Sequence, residues 1–316
     1  MSACTLTRDD PRYPAGLLQL EQPPRTLWCD GDVALLERPG VAIIGTRKPT
    51  TYGVRAAHGA AKGLAEAGLV IVSGLAQGLD ARAHEGALDA GGGTIAVLGG
   101  GTDVVYPLGN RDLFEAVRER GLLVSEYPPG TDPRGYHFPA RNRIIAGLAR
   151  ALVVVEGGFK SGTANTAEWM LRLSRPVLAV PGRIEDRQAQ GPNLLIHEGA
   201  GMYLAPDDVL AALAAADQPA KDRAWAAGVL QALERARREA LTAPLRDARA
   251  AGEVARAALT GAEAALFDLI GTEPVPVDQL VVRSRLEPGL LLAALSSLEI
   301  QGLVTQLPGK RFALAS

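Results

Sequence analysis

The chain has 316 residues, 47% of them hydrophobic, with 33 Lys and Arg against 35 Asp and Glu. It is long enough for two cores, and its near-neutral balance excludes a whole-protein attraction to nucleic acid or membrane, so any anion site must rest on local clustering. Two cysteines, Cys4 and Cys29, fit a reducing compartment better than a disulfide framework, and with no apolar run of ~18 residues and no signal-peptide pattern at the start, the expected setting is the cytoplasm.

Residues 1–40 read as an N-terminal extension packing on the core. From residue 41 to 215, short apolar, β-branched runs alternate with helical stretches: "VAIIG" at Val41, "LVIVSG" at Leu69, "TIAVLGG" at Thr94, "LLVSEY" at Leu122, "ALVVVEGG" at Ala151 and "PVLAVPG" at Pro176. That alternation predicts an α/β, Rossmann-like, doubly wound and mostly parallel sheet, and strands apolar throughout are those that helices cover on both faces. Residues 216–258 are rich in Ala, Arg and Glu and are interrupted by Pro244 and Gly252, which reads as a helical or partly flexible connector with solvated charges. Residues 259–316 offer three helical stretches, "TGAEAALFDLIG", "PVDQLVVRSRL" and "EPGLLLAALSSLEIQG", then two short strands in "LVTQLPGKRFAL". Three helices and a β-wing predict a winged helix.

In open α/β sheets ligands bind beyond the carboxyl ends of the strands, where strand order reverses. After the first strand come Gly45, Thr46, Arg47 and Lys48; after the fourth, near a helix start, Arg141 and Arg143; after the fifth, at another helix start, Lys160, Ser161, Gly162 and Thr163. Three strand ends thus carry cations or anion-binding hydroxyls, and a helix N-terminus favours an anion. The set points to a phosphate-bearing ligand, although Arg143 equally suits a structural ion pair with a nearby carboxylate such as Glu126 or Glu156. One glycine after the first strand, no acidic residue placed for a ribose and no Walker motif argue against NAD and nucleoside triphosphates. Side-chain cations with few bare glycines suit an extended phosphate backbone, as in single-stranded nucleic acid. No cofactor or metal is expected: His58, His84, His137 and His197 are scattered, and the i, i+4 pair Asp80 and His84 reads as solvated or locally bonded rather than as a metal site.

The motifs "VAIIGTRKPTTYG", "GLVIVSGLAQGLDARAHEGAL", "TIAVLGGGTDVVYPLGNRDLF", "FPARNRIIAGLA" and "VVVEGGFKSGTANTA", in that order, strongly resemble the DNA-processing protein A (Smf) family from about Tyr13 to Leu210, and the C-terminal ~55 residues resemble that family's winged helix. The resemblance implies a homodimer that binds single-stranded DNA, protects incoming strands in natural transformation, helps exclude single-strand-binding protein and loads the RecA recombinase. It implies DNA contacts at Arg47 and Lys160. Two departures stand out. Ala164 and Asn165 replace apolar residues of the usual helix start, and with ~40 residues before the first strand the helical domain many members carry there is expected to be absent or vestigial.

Two other functions compete. "EGGFKSGT" is similar to the Pro-Gly-Gly-x-Gly-Thr-x-x-Glu signature of nucleoside monophosphate phosphoribohydrolases, but Glu156 replaces the proline and Glu168 falls two residues late, roughly 200° around a helix. A winged-helix transcription regulator would read base edges with Arg, Lys, Asn or Gln. The third helix here is mostly apolar, flanked by Arg283, Arg285, Lys310 and Arg311, which suits protein contact or weak backbone binding.

Overall fold

The computed structural model describes residues 3–158, 162–216, 231, 259, 261–270, 274–284, 286–300, 303–307 and 311–314. The predicted connector, residues 216–258, therefore lies outside the described residues except for Ala216 and Gln231. The chain divides into two compact units, Met1–Arg237 and Arg238–Ser316. Among the described residues no helix is long and apolar enough to cross a membrane.

The first unit is built on nine strands: β1 (Cys4–Thr7), β2 (Thr26–Gly31), β3 (Gly40–Ile44), β4 (Val70–Ser73), β5 (Thr94–Val97), β6 (Leu122–Ser125), β7 (Ala149–Val154), β8 (Val177–Ala179) and β9 (Gly201–Met202). They form one sheet in the order β1-β2-β6-β5-β4-β3-β7-β8-β9. From β6 to β9 every neighbouring pair is parallel, whereas β1 and β2 are antiparallel additions at one edge. The N-terminal extension thus extends the sheet as well as packing on it. The chain runs from β3 outward through β4, β5 and β6, then returns to the other side of β3 for β7, so the order reverses between β3 and β7.

Helices α1 (Ala15–Leu18), α2 (Thr51–Glu66), α3 (Leu79–Asp89), α4 (Arg111–Arg120), α5 (His137–Leu148), α6 (Gly162–Arg172), α7 (Gln190–His197) and α8 (Pro206–Ala215) cover both faces. Alternate residues of a strand point to opposite faces, and both sets are apolar here. Ala42 and Ile44 join the cluster that includes Ile144 and Ile145 of α5 and Met170 of α6. Val41 and Ile43 join the one that includes Leu64 of α2 and Ala83 of α3. Arg175 fastens α1 beneath the sheet: its Nη1 donates to the carbonyls of Ala146, Gly147 and Ala149 at the end of α5, and its Nη2 to Gln19 Oε1 at 2.9 Å. A guanidinium suits that position because unpaired carbonyls carry the negative end of the helix dipole.

The second unit contains α9 (Gly261–Leu269), α10 (Val277–Ser284) and α11 (Pro288–Ile300), with β10 (Val275–Pro276), β11 (Val304–Leu307) and β12 (Arg311–Leu314). β12 pairs antiparallel with both β10 and β11, and Leu266, Leu280, Leu295, Leu298 and Phe312 form its core. This is the winged helix expected from the sequence, with β10 as a further strand.

Candidate functional site

Beyond the carboxyl ends of β3 and β7, at the reversal of strand order, lies an open groove of ≈ 760 Å³. Its walls come from the turn after β3 (Gly45, Thr46, Arg47, Lys48), the start of α5 (Phe138, Arg141, Asn142) and the start of α6 (Gly162, Thr163, Thr166). Each wall is fixed locally. The Thr46 amide donates to the Glu156 carbonyl at 2.8 Å, which holds the β3 turn against the end of β7. Lys48 N–H bonds Thr46 Oγ1 at 3.2 Å, and Gln188 donates to the Lys48 carbonyl at 3.1 Å. Asn142 reaches from α5 to α6, donating to the Gly162 carbonyl and to Asn165 Oδ1.

The cations play three different parts. Arg47 and Lys48 are exposed on the rim, and the Arg47 guanidinium lies 5.3 Å from the centroid of the Phe138 ring, a cation–π distance. Arg141 is buried at 4% exposure. It donates to the carbonyls of Gly74 and Val97, to Asn142 Oδ1 at 3.2 Å, and lies 4.0 Å from Asp80. A Cβ at Gly74 would overlap this guanidinium, so the glycine is what admits it. Burial lowers the Arg141 pKa to about 10, with Asp80 opposing the shift and Arg47 adding to it. It is a charged floor whose donors are mostly spent on the protein. Arg143 does not line the groove; it makes the structural ion pair that was the alternative reading. Its two terminal nitrogens pair with both Glu126 oxygens at 2.6 Å, and its Nε donates to the Gln22 carbonyl at 3.1 Å. This bidentate pair locks α5 to the end of β6 and to the N-terminal segment.

Lys160 and Ser161 lie outside the described residues. Gly162 and Thr163 open α6 at the groove wall, and Thr163 is buried at 7% exposure.

Carboxylates near the groove are committed to the scaffold. Glu156, 4% exposed, accepts from Thr50 N–H at 3.0 Å and Thr50 Oγ1 at 2.5 Å; it holds Thr50, the N-cap of α2, whose Oγ1 accepts from Gly53 N–H at 3.1 Å, and sets a negative charge where the helix dipole favours it. A Cβ at Gly53 would collide with that carboxylate. Asp80, the carboxylate that lines the groove among its described residues, accepts from the amides of Gly45 at 3.4 Å and Gly74 at 3.1 Å. Burial pushes its pKa up, and Arg141 with the amides of Gly45, Gly74 and Ala76 pulls it back. Glu168 lies on α6 but does not line the groove. Asp80 and His84 are buried and locally bonded rather than solvated. His84 Nε2 accepts the Leu75 amide at 3.3 Å, which places the ring proton on Nδ1 for donation to Thr94 Oγ1 at 2.7 Å. This fixes Leu75 at φ 54, a left-handed conformation unfavourable for a branched side chain, in the turn that leads into the groove.

The sequence reading missed the aromatic wall. Tyr106 and Phe138 stack with centroids 5.4 Å apart and both line the groove. The signal was available, since "VVYP" stands in the loop after β5 and "HFP" opens the helix that follows β6, at the carboxyl ends of strands where binding residues concentrate. A flat aromatic surface beside exposed cations can take a base on the ring and a phosphate on the guanidinium.

Residues 4–214 match the family model for DNA recombination-mediator protein A, and residues 250–310 match the model for its winged helix domain. The chain is 39% identical over 317 aligned positions to Protein Smf of Synechocystis, covering 97% of this chain and 79% of that one. It resembles the structure of DNA processing protein A from Streptococcus pneumoniae at 42% identity and a TM-score of 0.64, over 67% of this chain and 74% of the other. It also resembles DNA processing protein A from Helicobacter pylori, a structure described for its single-stranded DNA binding mode, at 32% identity and a TM-score of 0.61, over 68% of this chain and 97% of that one.

Proposed function

Because the chain belongs to the DNA recombination-mediator protein A family, we propose that it binds single-stranded DNA in the groove where strand order reverses. The observation that carries this reading is the pairing of exposed cations, Arg47 and Lys48, with the stacked Tyr106 and Phe138 in one open groove. Backbone phosphates meet the cations and the start of α6, while a base stacks on the aromatic wall. Lys160 and Ser161 contribute phosphate contacts from the segment preceding α6, Arg141 supplies fixed positive charge beneath, and Arg143 serves the scaffold.

The protein acts by binding rather than by cleaving bonds. A phosphoribohydrolase would need a free carboxylate facing its substrate, and Glu156 and Asp80 are both spent on backbone amides and helix capping. On this reading the protein works in the cytoplasm as a homodimer, protects strands taken up in transformation or exposed in repair, displaces single-strand-binding protein and loads RecA. The winged helix serves protein contact or weak duplex binding, because α11 exposes Leu290 and Leu292 where a base reader would carry donors.

A mobility-shift titration of single-stranded against duplex DNA tests the assignment. Preference for the single strand is expected, and Phe138→Ala should weaken it by about 1–3 kcal/mol through lost stacking without changing the salt dependence. Equal affinity for the two forms would contradict the proposal, as would release of free base from nucleoside monophosphates.

A further inference from the structure

The chain's two cysteines, Cys4 and Cys29, are direct partners across the antiparallel β1–β2 ladder. They share the inner face of the sheet. Leu6 and Leu27, two residues along each strand, are also cross-strand partners and are fully buried in the same cluster. Opposed residues on antiparallel strands place their Cβ atoms ~4.5–5.5 Å apart, and a disulfide needs ~3.5–4.5 Å, so closure asks for only a small approach. β1 is the outermost strand with a single neighbour, and no second ladder resists that movement. Cys4 is partly exposed at this edge and Cys29 is buried.

We propose that Cys4 and Cys29 form an oxidisable cross-strand dithiol that hydrogen peroxide closes into a disulfide, stapling β1 to β2 and locking the N-terminal segment that carries α1. Burial, reinforced by the neighbouring Cys4 sulfur, pushes the Cys29 thiol up to about 12, so the accessible Cys4 reacts first. Its thiolate attacks a peroxide oxygen; the S–O bond forms, the O–O bond breaks, and the departing hydroxide takes up a proton to give Cys4 sulfenic acid and water. The Cys29 sulfur then attacks the Cys4 sulfur; the S–S bond forms, the S–O bond breaks, and the departing hydroxide leaves as water with the Cys29 proton. Two thiols lose two electrons and one peroxide gains them. The closed loop spans α1, which Arg175 already ties to the end of α5. The bond therefore restricts the unfolded chain while asking little of a segment already ordered in the native state, the condition under which a cross-link stabilises. Because β1 stands five strands from β3, about 24 Å at ~4.8 Å per strand, DNA binding in the groove does not change.

The test treats full-length protein with hydrogen peroxide under native conditions, alkylates remaining thiols and maps peptides without reductant. The expected result is the loss of both free thiols, a linked pair of peptides containing Cys4 and Cys29, a rise in Tm of several degrees that a dithiol reductant reverses, and unchanged affinity for single-stranded DNA. Cys4→Ser should leave Cys29 alkylatable at the same peroxide dose after denaturation. Two thiols still alkylatable in oxidised wild type, or cross-links found only between chains, would overturn the proposal.

Discussion

His84 makes the first unit acid-sensitive by an amount that can be worked out. Its ring is fully buried, accepts the Leu75 amide at Nε2 and has its pKa lowered to about 3 from 6.5, chiefly by burial and secondarily by Arg141. The native state holds the ring neutral, whereas the unfolded chain protonates it below pH 6.5. The contribution is therefore complete above that pH and is lost as pH falls toward 3. Between pH 6 and pH 4 this single group should remove about 2.5 kcal/mol, approaching ~1.4 kcal/mol per pH unit. Urea unfolding followed by the fluorescence of Trp28 and Trp169, at half-unit pH steps, compares wild type with His84→Gln, which keeps an acceptor and a donor but does not titrate. The variant should be less stable at pH 7 and should lose less stability on acidification, so the two curves converge. Parallel curves across pH 6 to 4 would refute the assignment of a neutral, proton-refusing ring.

Two further perturbations separate scaffold from contact. Arg143→Ala breaks the bidentate pair with Glu126 and the bond to Gln22, and should cost about 2–4 kcal/mol of stability while leaving single-strand affinity at the wild-type value; a loss of affinity without a loss of stability would return Arg143 to the groove. Gly53→Ala drives a methyl into the Glu156 carboxylate and should destabilise by about 1–3 kcal/mol despite the better helix propensity of alanine, measured as a lower urea midpoint; a stabilised variant would show that the Glu156 carboxylate does not pack against the start of α2.

The six apolar runs were readable because both faces of a parallel strand are buried, leaving no polar alternation to obscure them. β1 and β2 were not, because the antiparallel edge mixes exposed Thr5 and Thr7 with buried Leu6, and four residues of that pattern match a loop equally well. β9 is only two residues long. Cations at strand ends could be located because topology dictates where those ends converge, but not which guanidiniums stay available. That depends on partners distant in sequence: Glu126 stands 17 residues from Arg143, and Gly74 67 residues from Arg141. The same holds for Glu156, which holds the N-cap of α2 through Thr50, 106 residues away. The difference between Arg47, free on the rim beside Phe138, and Arg143, clamped by a carboxylate, is a property of packing rather than of local sequence.

On the proposed function, Arg47 meets backbone phosphate in the groove. The most direct test is the salt dependence of single-stranded DNA affinity for wild type and Arg47→Ala, with Lys160→Ala alongside. Each variant should bind more weakly, and the slope of log affinity against log salt should flatten by about 0.7 per phosphate contact removed. Affinity and slope unchanged in Arg47→Ala would show that Arg47 does not meet phosphate, and unchanged values in Lys160→Ala as well would remove the cationic rim from DNA binding.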